Sequence, residues 1–246
     1  MAGSMIEFAS NGSKTAGYLA TPAAGKGPGV LVLQEWWGLV GHVKSVCDRF
    51  TAEGFTALAP DMYHGKTATE PDGAGKLFMA LNIAQAERDL RGAATYLLEQ
   101  SSTKKLGAVG FCMGGQLALY AATLNPSVSA CVNFYGIHPN VKPDYTKLTG
   151  PVLGLFAEKD GFVTPQVAKG YRRGHQEGRQ AVRDQHLPGC GPRILQRRTT
   201  GRLQQGRRHR RLEAHPWVLS PEREIAAPPR APRGPTRRAV PRGSAS

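Results

Sequence analysis

The sequence predicts an α/β protein: a mostly parallel sheet with helices on both faces. Three observations carry this. The apolar runs are continuous rather than alternating, as in strands buried on both faces. The segments between several of them show helical spacing. Strand and helix alternate along residues 1–170, the order that builds parallel sheets.

The elements follow in order. Residues 5–8 (MIEF) and 16–20 (AGYLA) read as short leading strands. GVLVLQ, 29–34, is a buried strand, and residues 40–53 place Val43, Val46, Cys47 and Phe50 on one helical face. FTALAP, 55–60, is a second buried strand closed by Pro60. Asn82 suits the cap of a helix that lines up Ile83, Ala86, Leu90, Ala93 and Leu97. LGAVGF, 106–111, is the third buried strand and is followed by a helix over 113–124. SACVNFYG, 129–136, and PVLGLFA, 151–157, complete the series. Beyond about residue 170 the alternation stops, so the sheet is expected to be incomplete at its C-terminal end.

Charge divides the chain at the same place. The net charge is +14 over 246 residues. Residues 1–170 hold 11 Lys, 3 Arg and 13 acidic residues, nearly balanced. Residues 171–246 hold 18 Arg, no Lys and 5 acidic residues. Evolved basic tails usually mix the two cations. The sequence therefore predicts a folded domain over 1–170 and a basic, Arg/Pro-rich, disordered segment over 171–246, typified by APPRAPRGPTRRAVPRG. Such a tail would bind nucleic acid only non-specifically, by charge.

The four cysteines, Cys47, Cys112, Cys131 and Cys190, have neither zinc-site spacing nor a disulfide framework. The N-terminus lacks signal-peptide features, and no apolar run approaches the roughly 18 residues of a membrane span. A cytoplasmic protein with reduced thiols is expected, its oligomeric state open.

One cysteine stands apart. Gly110-Phe111-Cys112-Met113-Gly114 has Gly-x-nucleophile-x-Gly spacing at a strand-to-helix junction. The nucleophile of such a bend is held in a strained turn, so small residues two before and two after it avoid clashes. The helix start behind it favours a thiolate and a developing oxyanion. The segment LQEWWG, 33–38, follows the first long strand, where a second oxyanion donor belongs. The backbone N–H groups of Met113 and Trp36 are the candidate pair, with Glu35 beside Cys112. In FAEKDGFVTP, 156–165, Asp160 suits the acid that orients a catalytic imidazole, in the chain order nucleophile, acid, histidine.

These segments, together with GFTALAPDMYHGK, resemble the dienelactone hydrolase (carboxymethylenebutenolidase-like) family of α/β-hydrolases over roughly residues 5–170. The resemblance implies an α/β-hydrolase sheet, an ester or lactone substrate, and no metal or cofactor. It further implies Cys112 as nucleophile, Asp160 as the acid of a Cys-His-Asp triad, and Glu35 as the carboxylate that contacts the resting thiol and helps to charge it. A broader carboxylesterase or thioesterase is the alternative within the class, and nucleic-acid binding through the Arg-rich segment the alternative outside it.

The family's histidine lies in a Gly-His-Ala-Phe-like loop some thirty residues after the acid; here that place falls on Pro192 in HLPGCGPRILQRR, 186–198. His42, His64 and His138 precede Asp160, whereas His175, His186, His209 and His215 follow it without the loop context. The genetic code suggests a cause. Residues 188–197 permit a coding that, read one nucleotide later, gives Pro-Gly-Ala-Gly-His-Ala-Phe-Phe-Asn. Residues 202–208 and 211–217 likewise permit family-like readings. The expectation is a chain out of frame from about residue 171.

Overall fold

The computed structural model describes residues 3–157 and 160–164, together with the backbone of 182–187. Its sheet has eight strands: β1 (Ser4–Ser10), β2 (Ser13–Ala20), β3 (Gly29–Leu33), β4 (Thr56–Pro60), β5 (Leu106–Phe111), β6 (Val128–Phe134), β7 (Val152–Ala157) and β8 (Val182–Leu187). Their spatial order is β1-β2-β4-β3-β5-β6-β7-β8. β1 runs antiparallel to β2, and β2 antiparallel to β4. All later neighbours are parallel.

The helices are α1 (Gly41–Ala52), α2 (Pro71–Met79), α3 (Ile83–Gln100) and α4 (Met113–Leu124). α1 connects the parallel neighbours β3 and β4, and α4 connects β5 and β6. The step from β3 through α1 to β4 runs one way along the sheet. The steps through α3 and α4 run the other way, and these two helices pack against each other.

The expected cap at Asn82 forms: its Oδ1 accepts a hydrogen bond from the Gln85 N–H at 3.0 Å. The face it introduces, Ala86, Leu90, Ala93 and Leu97, is fully buried beneath the sheet. α4 is apolar nearly all round, because it lies between the sheet and the elements beyond it. The main core joins Leu31, Leu33 and Leu58 of the sheet to Leu90, Leu97, Met113 and Leu117 of the helices.

The sheet also requires a correction. Sequence order ends near residue 170, yet β8 pairs in parallel with all six residues of β7, from Val152–Val182 to Ala157–Leu187. The strand expected to be missing after Asp160 is therefore present, and β7 is not an edge. Pairing of this kind uses main-chain groups that any non-proline residue carries, so composition could not reveal it. The remainder of 171–246 lies outside the described residues. No described helix is long and apolar enough to cross a membrane.

Candidate active site

The parallel strands β3, β5, β6 and β7 all end on one edge of the sheet, and the loops leaving those ends hold the candidate residues. In open α/β sheets this carboxyl edge is where ligands bind. Cys112 links β5 to α4 and occupies φ 53°, ψ −125°, a region non-glycine residues avoid. Three main-chain bonds hold it there. Its N–H donates to Phe134 O (3.0 Å), and its carbonyl accepts from the N–H groups of Gly115 (2.9 Å) and Ile137 (3.4 Å).

The two elbow glycines have a measurable reason. A Cβ on Gly110 would strike the backbone of Gly114, and one on Gly114 would strike the carbonyls of Leu33 and Gln34. β5, α4 and the end of β3 therefore approach more closely than any side chain allows.

Glu35 and Trp36 begin a turn that leaves β3, closed by the Gly38 N–H to the Glu35 carbonyl at 3.2 Å. That turn leaves the Trp36 N–H free of the ladder. The backbone N–H groups of Met113 and Trp36 face the Cys112 sulfur and favour its charged form. Trp36 and Trp37 meet edge to face, their ring centroids 5.2 Å apart, and Phe111 stacks on Phe134 at 4.7 Å, so the surroundings are aromatic.

Glu35 and Asp160 are only 5% and 7% exposed. Asp160 accepts from the N–H groups of Phe162 (2.8 Å) and Val163 (3.0 Å), so it closes the loop after β7 as well as facing the thiol. Burial pushes the Cys112 thiol up to about 11. The Glu35 and Asp160 carboxylates add to the rise, while the two N–H groups oppose it. At neutral pH the resting sulfur is a thiol, and a base is needed to charge it. The other described cysteines are poorer candidates. Cys47 and Cys131 are buried in the core, and burial raises both further, Cys47 to about 12.

The structure thus brings together Cys112, Glu35, Asp160 and the N–H groups of Met113 and Trp36. It brings no described histidine to them. His42 lies edge-on against Phe111, with centroids 6.2 Å apart. His64 pairs with Asp89 at 2.9 Å. His138 is buried, with Nε2 on the Phe78 carbonyl (2.9 Å) and Nδ1 accepting from the Asn140 N–H (3.1 Å). His186 stands on β8 in register with Phe156. Pro192, His175, His209 and His215 lie outside the described residues. Among the described residues no group of His, Cys, Asp and Glu has the arrangement of a metal site.

Two residues went unread in the sequence. The Tyr135 phenol donates to Glu35 Oε1 at 3.4 Å across 100 residues of chain. The Tyr63 phenol donates to Met113 Sδ at 3.1 Å. In sequence each is one more aromatic in an apolar stretch.

A mostly parallel sheet with helices on both faces, a strained bend between β5 and α4, and an acid after β7 define an α/β-hydrolase. The dienelactone hydrolase family profile matches residues 15–183. The chain belongs to the dienelactone hydrolase family and is of the carboxylic-ester hydrolase class. It is 44% identical over 170 residues to Protein usf of Aquifex pyrophilus, covering 65% of this chain and 73% of that one. It is 30% identical over 171 residues to a carboxymethylenebutenolidase homolog of Xenopus tropicalis, covering 65% and 69%. A structure from Klebsiella pneumoniae, solved under a provisional dienelactone hydrolase designation, superposes with a TM-score of 0.68 at 26% identity, over 77% of this chain and 86% of that one.

Proposed function

We propose that this protein hydrolyses ester or lactone bonds through a cysteine nucleophile, Cys112. The observation that carries the reading is the strained bend that presents Cys112 between β5 and α4, closed by Gly110 and Gly114, with the N–H groups of Met113 and Trp36 facing its sulfur. Two amides that converge on a nucleophile can also hold the oxygen of a carbonyl the nucleophile attacks.

The reaction proceeds in two halves. The thiol loses its proton and the sulfur bonds to the acyl carbon; the carbonyl oxygen becomes an oxyanion between the two amides. The carbon–oxygen ester bond then breaks, the alcohol or enol leaves with a proton, and a thioester remains. Water attacks the thioester and releases the acid and the thiol. Glu35 faces the resting thiol, and in the protein with its frame intact Asp160 would orient the imidazole that moves these protons. The aromatic walls suit an apolar acyl or leaving group.

The imidazole is the member this chain lacks at its expected place, and we infer a shifted reading frame from about residue 171 as the reason. Sequencing the coding DNA over codons 160–220 tests it, together with expression of the shifted-frame protein. That protein should turn over dienelactone or aryl esters at least about 10³-fold faster than the chain with Pro192. Replacing Cys112 by Ala in it should remove about 10⁴-fold or more of the rate. An intact frame in independent isolates defeats the frame inference, and unimpaired hydrolysis by the Ala variant defeats the nucleophile.

A panel of lactone, simple ester and thioester substrates separates a dienelactone-type enzyme from a broader carboxylesterase or thioesterase.

A further inference from the structure

Glu35 and Asp160 are two carboxylates taken almost wholly out of water beside one sulfur. A buried carboxylate is tolerable only where donors reach it. Asp160 has the main-chain N–H groups of Phe162 and Val163. Glu35 has the Tyr135 phenol among its partners.

Tyr135 is placed with some effort. It is the first residue after β6, 8% exposed, and sits in left-handed backbone at φ 41°. Its N–H is tied to Leu155 O on β7 at 2.8 Å. A tyrosine there gives up backbone freedom to point one hydroxyl into the site. Burial, and then the Glu35 carboxylate beside it, holds the phenol above its ordinary range, so it stays a donor at neutral pH. A phenol has one proton to give, and this one is given to Glu35.

We infer that Tyr135 is a positioning residue that acts through Glu35: its hydroxyl holds the carboxylate in place and spreads its charge, and so sets how readily Cys112 becomes a thiolate. The inference rests on Cys112 being the reactive thiol.

Alkylation of the full chain by iodoacetamide across pH, with modification at Cys112 followed by peptide mass spectrometry, reads the thiol without any need for turnover. Tyr135→Phe keeps the ring and removes the proton. The Glu35 charge then bears on the sulfur undiluted, and the alkylation midpoint should rise by about half a unit to one unit. Glu35→Gln removes the charge and should lower the midpoint. Adding Tyr135→Phe to Glu35→Gln should change nothing further, because the carboxylate through which the phenol acts is gone.

An unchanged midpoint in Tyr135→Phe overturns the inference, and so does an equal shift with and without Glu35. Should the Phe variant fail to fold, Tyr135→Gly, at ease in left-handed backbone and without a side-chain donor, removes the same hydroxyl and should also raise the midpoint. A slow, pH-independent reaction at Cys112 in the unaltered protein would count against the cysteine nucleophile instead, so the two failures are distinguishable.

Discussion

Cys112 sits where the backbone favours glycine, with φ at 53° and no side-chain cap for the helix behind it. Strain of this kind costs on the order of 1–3 kcal/mol and persists because the surrounding bonds over-determine it. Cys112→Gly should therefore stabilise the fold by about 1 kcal/mol, measured as a higher urea midpoint, while leaving no sulfur to alkylate at that position. A lower midpoint would mean that the thiol's packing against Phe111 and Phe134 outweighs the backbone strain. Fold and chemistry make opposite demands at this position, a common form of the stability–activity conflict.

At the scale of elements, a buried carboxylate on α3 joins the Phe8–Tyr96 ring stack in fastening the β1–β2 hairpin to that helix. Asp89 is fully buried. Its Oδ1 accepts from Ser10 Oγ (2.6 Å), Thr15 Oγ1 (2.6 Å) and Gln85 Nε2 (2.9 Å), and its Oδ2 meets His64 Nε2 at 2.9 Å. Asp89→Ala leaves the buried hydroxyls of Ser10 and Thr15 without their acceptor and should cost about 3 kcal/mol in denaturant unfolding. Asp89→Asn keeps one acceptor oxygen and should lose less. Most elements were legible from sequence, because apolar runs and helical spacing survive in any context. α2 was not. Its residues, PDGAGKLFM, carry two glycines and no clear period. It forms because Pro71 starts it and Ala74 is buried, with Leu77 and Phe78 packed on the core. That Cys112, Glu35, Trp36, Met113 and Asp160 come together was legible where chemistry and chain order coincide; their roles in a reaction are proposed above. It was illegible at Tyr135, whose role depends on a residue a hundred positions away.

For the whole molecule, pH enters through His138. Burial lowers its proton affinity, and Lys142 lowers it further, against the opposing pull of the Phe78 carbonyl. A histidine whose affinity is depressed on folding binds protons more readily when unfolded. Its contribution is therefore full above the unfolded value of about 6.5 and is lost progressively as pH falls below it. The melting temperature should drop between pH 7 and pH 5, and His138→Gln should flatten that slope. Because His138 joins α2 to the loop after β6, the same acidification should first loosen α2, seen as faster amide exchange over residues 71–80.

The two amides that face Cys112 belong to segments leaving β3 and β5, which lie side by side in unbroken register from Gly29–Leu106 to Leu33–Gly110. The spacing between those amides depends on that ladder and on Gly110 and Gly114, where any Cβ would strike backbone and push the segments apart. On the reading of Cys112 as nucleophile, the aromatic rings of Trp36, Trp37, Phe111 and Phe134 are where an engineer would seek a change in substrate preference, since their side chains can be exchanged while the backbone beneath keeps its geometry.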